Sequence, residues 1–129
     1  MAQSQTRKVL VVEDNELNMR LFCDLLDAYG FETFQCRDGA KAVEIARREQ
    51  PDLIIMDIQL PEVSGLDITR WLKDDDKVAH IPVLAVTAFA MRADEKRVRE
   101  AGCEGYLSKP IQIATFIKAV EALMPKEAA

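Results

Sequence analysis

Residues 53–65 read LIIMDIQLPEVSG. Leu53 to Met56 form an unbroken apolar run, the pattern of a strand buried on both faces. An antiparallel strand with one wet face would alternate apolar and polar residues instead. The stretch therefore predicts a parallel sheet covered by helices on both sides. The run stops on a carboxylate, Asp57, and Pro61 and Gly65 follow soon after. A core strand that ends on a charged group needs a chemical reason.

Outward from this stretch, strand-like and helix-like segments alternate. KVLVV (8–12) is rich in β-branched residues. NELNMRLFCDLLDAYG (15–30) carries a helical apolar period through Leu17, Leu21, Phe22, Leu25, Leu26 and Tyr29, with Gly30 as its stop. FETFQC (31–36) predicts the next strand, and DGAKAVEIARRE (38–49) one short helix with Ala42, Ile45 and Ala46 inward and Val43 beside them. Pro51 opens DLIIM (52–56), and SGLDITRWLK (64–73) predicts a helix with Leu66, Ile68, Trp71 and Leu72 as its apolar residues. Pro82 opens VLAVT (83–87). RADEKRVREAG (92–102) is a polar helix stopped by Gly102, and GYLSKP (105–110) holds a short strand. IATFIKAVEAL (113–123) places Ile113, Phe116, Ile117, Val120 and Leu123 on one face.

The result is (βα)5, an α/β doubly wound parallel sheet with right-handed crossovers. The first, third and fourth strands are nearly all apolar and belong in the centre. The second and fifth are mixed and belong at the edges. The order 2-1-3-4-5 satisfies both, as in flavodoxin and CheY-like folds. The chain of 129 residues suits a single domain, 1–129, with a core of about 7–124 and frayed ends at 1–6 and 125–129. No output domain is expected beyond residue 124.

Composition narrows the function. With 49% apolar and 30% charged residues, the chain has the balance of a folded, soluble domain. A net charge of −5 argues against a nucleic-acid partner. No apolar stretch approaches a membrane span, and MAQSQTRK (1–8) lacks a signal-peptide pattern. Cys23, Cys36 and Cys103 are widely spaced and odd in number, as reduced core thiols of a cytoplasmic protein would be. His80 is the one histidine; in AHIPV (79–83) it reads as a loop residue, which leaves little room for His-based chemistry.

In open parallel sheets, ligands bind beyond the carboxyl ends of the strands, at the switch point of the strand order. The residues found there are Glu13 and Asp14 after the first strand, Asp57 after the third, Thr87 after the fourth, and Lys109 with Pro110 after the fifth. Taken singly, each has an ordinary explanation. Asp14 or Asn15 suits a helix cap, Thr87 a strand residue, and Lys109 a solvated lysine. Their convergence on one crevice does not. Three crowded carboxylates raise one another's pKa values unless a cation joins them. Hard oxygen donors without His or Cys suit Mg²⁺, which keeps waters and leaves room for phosphoryl oxygens. An acidic cluster, a lysine and a hydroxyl are what an aspartyl phosphate requires.

VVEDN (11–15), IIMDIQLPEVSG (54–65), AVTAFA (85–90) and LSKP (107–110), in this order and spacing, resemble the receiver domains of two-component response regulators across the whole chain. Among single-domain members, VVEDNELNMRLFCDLL (11–26) most resembles a cell-cycle regulator. The resemblance implies that Asp57 accepts a phosphoryl group from a phosphohistidine on a sensor histidine kinase or histidine phosphotransfer protein. It implies Mg²⁺ held by Asp14, Asp57 and the backbone carbonyl of Gln59, with Glu13 acting through a water. Lys109 would pair with the phosphoryl group beside the small Ala88, Thr87 would move to hydrogen-bond it, and Tyr106 would follow as the aromatic switch. The Lys109–Pro110 bond would be cis, Gln59 and Phe89 would tune access of water, and slow autodephosphorylation would follow. The chain would be a phosphoacceptor, not a classical enzyme.

Output would pass by contact with a downstream protein, through a face that includes the charged helix 92–102. The apolar band of the first helix is wider than one sheet contact needs, so Leu17 and Leu21 are expected partly exposed, facing the histidine-bearing partner. A phosphorelay intermediate and a chemotaxis-type regulator are alternatives in the same family. A haloacid-dehalogenase phosphatase would need an aspartate where Gln59 stands. A flavodoxin would not place EDNE (13–16) where it must cradle phosphate.

Overall fold

A computed structural model describes residues 7–60, 63–88 and 92–124, without the side chains of residues 92–94. The expectations for the chain ends, Pro61, Phe89 and the side chains of Arg92 and Asp94 lie outside the described residues.

The elements run β1 (Lys8–Val12), α1 (Glu16–Ala28), β2 (Glu32–Cys36), α2 (Ala42–Glu49), β3 (Leu53–Asp57), α3 (Gly65–Lys73), β4 (Val83–Thr87), α4 (Arg92–Ala101), β5 (Gly105–Ser108) and α5 (Ile113–Leu123). All strand pairs are parallel, in the order β2-β1-β3-β4-β5. The two-residue alternation of a strand sends successive side chains to opposite faces. Leu10, Val12, Ile54, Met56, Val83 and Ala85 face α2, α3 and α4. Val9, Val11, Leu53, Ile55, Leu84 and Val86 face α1 and α5. Two cores thus flank one sheet, and β1, β3 and β4 have apolar residues at nearly every position because both faces are covered.

Local signals set the helix ends. The Asn15 side chain accepts the Asn18 N–H and caps α1; that of Ser64 accepts the Leu66 N–H and caps α3. Gly30 (φ 88°) and Gly102 (φ 108°) follow α1 and α4 in the left-handed region, which glycine enters without a Cβ clash. Phe22 of α1 stacks on Phe116 of α5 with ring centroids 5.4 Å apart. Burial of each ring stabilises by about 1.5–3 kcal/mol and fixes the two helices side by side. Cys23, Cys36 and Cys103 are buried free thiols, and burial pushes all three up, Cys36 to about 11. His80 is an exposed turn residue.

Several sequence expectations shift. The segment 38–49 is not one helix: a 3₁₀ turn at Gly39–Lys41 precedes α2, with Asp38 capping the turn. Within α2, Ala42 and Ala46 are buried but Ile45 is only half-buried. β3 runs one residue later than expected, so Asp57 is its last residue, while Asp52 accepts the Lys8 N–H just outside the strand. Trp71 is 46% exposed and Ile113 is 53% exposed. Ile113 is the first residue of α5, one turn before the buried Phe116 and Ile117, and Trp71 lies off the stripe that Ile68 and Leu72 bury. Tyr29, at the C-cap of α1, is also exposed.

Candidate functional site

Strand burial delivers the site. β1 and β3 are adjacent, with Val12 in register with Met56. Their next residues, Glu13 and Asp57, therefore emerge together. Each of Glu13, Asp14 and Asp57 offers an oxygen within 4.8 Å of the others'. Glu13 and Asp57 are buried, whereas Asp14 is exposed. The Glu13 N–H donates to the Cys36 carbonyl, so β1 stays anchored to β2 right up to the site. The Asn15 N–H donates to Glu13 Oε2 at 3.1 Å. Because Asn15 caps α1, Asp14 is not committed to that task and points its chemistry to the crevice mouth.

Lys109 crosses from β5. Its N–H donates to the Thr87 carbonyl at 2.7 Å, and its Nζ lies 3.4 Å from Glu13 Oε1 and 3.7 Å from Asp57 Oδ1. The peptide bond from Lys109 to Pro110 is cis. Thr87 ends β4, buried, opposite Ser108. Tyr106 is half-buried against the α2–α3–α4 core. Asp57 Oδ1 also accepts the Gln59 N–H at 3.0 Å.

Burial first, and the neighbouring Asp57 second, push the Glu13 carboxyl up to about 7, against the opposing pull of the Asn15 N–H and Lys109. One ammonium thus lies beside two of the three carboxylates, Glu13 and Asp57. The donor set is all oxygen, with no His or Cys, and fits a divalent hard cation. Such an ion would favour the ionised form of Glu13 against its burial and against the neighbouring Asp57.

Gly65 closes the loop after β3. A Cβ there would run into the Asp57 carbonyl oxygen and stand 2.8 Å from Ile58 Cα. The Gly65 N–H donates to the Ile58 carbonyl at 3.0 Å. The glycine lets α3 start against the backbone of Asp57 itself.

The structure brings Glu13, Asp14, Asp57 and Lys109 together, with Thr87 at the adjoining strand end. Leu17 is 77% exposed and Leu21 41% exposed on α1, the helix that starts at the crevice. Sequence reasoning missed one contact. The Ala88 N–H donates to the side-chain oxygen of Gln59 at 3.0 Å. No local pattern links residues 59 and 88; only the adjacency of β3 and β4 does.

A buried aspartate at the switch point thus has two acidic neighbours and a lysine close by. The chain belongs to the response regulator receiver domain family, matching it over residues 9–121. It is 58% identical over 118 residues to the polar-differentiation response regulator DivK of Brucella anthropi, a match covering 92% of this chain and 96% of that one. DivK of Brucella ovis is likewise 58% identical over 119 residues, covering 92% and 97% of the two chains. Among solved structures, the receiver domain of a Pseudomonas aeruginosa sensor histidine kinase, with a magnesium ion coordinated in its active-site cleft, is 30% identical. Its TM-score is 0.85, with 92% of this chain and 98% of that one covered. The Vibrio cholerae chemotaxis protein CheY4 shares the fold, with a TM-score of 0.88 at 23% identity over 93% of this chain and all (100%) of that one.

Proposed function

We propose that this response regulator accepts a phosphoryl group on Asp57 from a phosphohistidine of a sensor histidine kinase or histidine phosphotransfer protein. The observation that carries the reading is the Asp57 carboxylate itself. It is buried at the end of a core strand, within reach of two carboxylates on one side and Lys109 on the other. A carboxylate oxygen of Asp57 attacks phosphorus; the new P–O bond forms as the P–N bond to imidazole breaks, and the imidazole leaves carrying the electron pair. Lys109 offsets the charge that the phosphoryl group adds. Asp14, Asp57 and the backbone carbonyl of Gln59 would hold Mg²⁺, with Glu13 contributing through a water. When bound, the ion neutralises charge on the transferring oxygens. The same residues would support slow hydrolysis of the aspartyl phosphate.

The Thr87 hydroxyl then hydrogen-bonds the phosphoryl group next to Ala88. Such a charge-assisted bond is worth roughly 1.5–3 kcal/mol. Complete reversal of a two-state population from about 1:99 takes roughly 5.5 kcal/mol. Thr87 alone is insufficient, so repacking of the half-buried Tyr106 and a mild initial bias supply the rest. The phosphohistidine partner docks on α1 through Leu17 and Leu21, which are exposed beside the crevice.

The signal passes to a downstream protein by contact. In α4, Glu95, Lys96, Arg97, Arg99 and Glu100 are exposed, and Arg99 pairs with Glu95 at 3.5 Å, which suits a salt-sensitive face. The DivK relatives carry a polar-differentiation name, which supports a role in cell-cycle or cell-division control. The cytoplasm is the proposed setting; among the described residues, no helix is long and apolar enough to cross a membrane. Incubation with a phosphorylated histidine phosphotransfer protein tests the reading. Transfer to wild type but not to Asp57→Asn supports it, and equal labelling of both removes it.

A further inference from the structure

Gln59 makes two hydrogen bonds that together span the mouth of the site. Its backbone N–H donates to Asp57 Oδ1 at 3.0 Å. Its side-chain oxygen accepts the Ala88 N–H, also at 3.0 Å. Gln59 is exposed, so water can compete for this bridge. What it bridges is the loop that follows Asp57, the last residue of β3, and the first residue after β4, next to Thr87.

We propose that Gln59 is a clasp that holds the Thr87–Ala88 segment in its resting position and must release it when Asp57 is phosphorylated. The Ala88 N–H is a donor one residue beyond the buried Thr87, and Gln59 is already tied to the acceptor carboxylate. A phosphoryl group on Asp57 brings strong anionic acceptors into the same space. A charge-assisted hydrogen bond is roughly twice as strong as a neutral one. The phosphoryl oxygen therefore takes the Ala88 N–H from the Gln59 amide, which swings out to water. Gln59 acts through Ala88 and is a positioning residue. It adds a fixed resistance to switching, set by one neutral hydrogen bond.

The inference rests on Asp57 as the phosphoryl acceptor, and its test separates the two. Amide exchange of Ala88 is measured by NMR in the metal-free full chain for wild type, Gln59→Met and Gln59→Glu. Methionine keeps the length and removes the acceptor, whereas glutamate keeps an acceptor. Ala88 exchanges about three- to tenfold faster in Gln59→Met, the range set by one neutral hydrogen bond, and stays protected in Gln59→Glu. Beryllofluoride, titrated with Mg²⁺, binds Gln59→Met about three- to tenfold more tightly than wild type. Unchanged Ala88 exchange in Gln59→Met, or faster exchange without tighter beryllofluoride binding, overturns the clasp while leaving the acceptor reading intact. Failure of wild type to bind beryllofluoride at all removes the acceptor reading, and any switching role for Gln59 with it.

Discussion

The ammonium of Lys109 lies 3.7 Å from Asp57 Oδ1, and it reaches Glu13 Oε1 at 3.4 Å from the same position. One cation from β5 thus serves two carboxylates from β1 and β3. Replacing it with an apolar group leaves the acids to repel each other. Without metal, Lys109→Met should lose about 1–2 kcal/mol at pH 8, less than a fully buried pair would because Lys109 is partly exposed. The loss should shrink at pH 6, where Glu13 holds a proton. Urea unfolding at the two pH values measures both.

Glu13 gives the metal-free protein a pH dependence of defined sign. Its carboxyl titrates near 7 in the fold against an ordinary value of 4.5. Between those values the folded state binds more protons than the unfolded one, so stability falls as pH rises through the window. The loss from pH 5 to pH 8 is on the order of 2 kcal/mol. Mg²⁺ favours the ionised carboxylate and should flatten the slope. Glu13→Gln, with no proton to lose, should abolish it; thermal unfolding across the range, with and without Mg²⁺, checks both.

Gly65→Ala tests how closely α3 sits against the acceptor strand. The added Cβ meets the backbone of Asp57 and Ile58, which has no flexible end to move aside. A destabilisation of about 1–3 kcal/mol is expected. Phosphoryl uptake should fall as well, because Asp57 must shift. Denaturant unfolding and labelling from acetyl phosphate report the two effects separately.

Leu17→Glu should separate docking from chemistry. Leu17 is largely exposed, so folding stability should stay within about 0.5 kcal/mol of wild type. Labelling by acetyl phosphate, which needs no docking surface, should be unchanged. Transfer from a phosphohistidine protein should slow about tenfold, equivalent to about 1.4 kcal/mol of lost contact. Equal transfer rates for wild type and variant would place the docking surface elsewhere.

Much of this architecture was legible in the sequence because each central strand is an apolar run with a polar end. Both faces of β1, β3 and β4 are covered, so hydropathy placed them in the centre, and the 2-1-3-4-5 order with its crevice followed from the doubly wound topology that satisfies this. Asp57, Glu13, Asp14, Thr87 and Lys109 were visible as strand-end residues. What was not legible depends on distance across the sheet. Whether Asp14 or Asn15 caps α1 is settled by the Asn15 side chain on the Asn18 N–H, which leaves Asp14 for the crevice. Periodicity placed Ile113 on one face with Phe116, Ile117 and Val120, yet as the first residue of α5 it is exposed. The Gln59–Ala88 bond joins residues far apart in sequence, and neither residue type announces the other.

The central claim is that Asp57 is the phosphoryl acceptor. Intact mass after incubation with Mg²⁺ and acetyl phosphate tests it most directly. Wild type should gain the mass of one phosphoryl group and Asp57→Ala none. No gain on wild type, or the same gain on Asp57→Ala, would contradict the account.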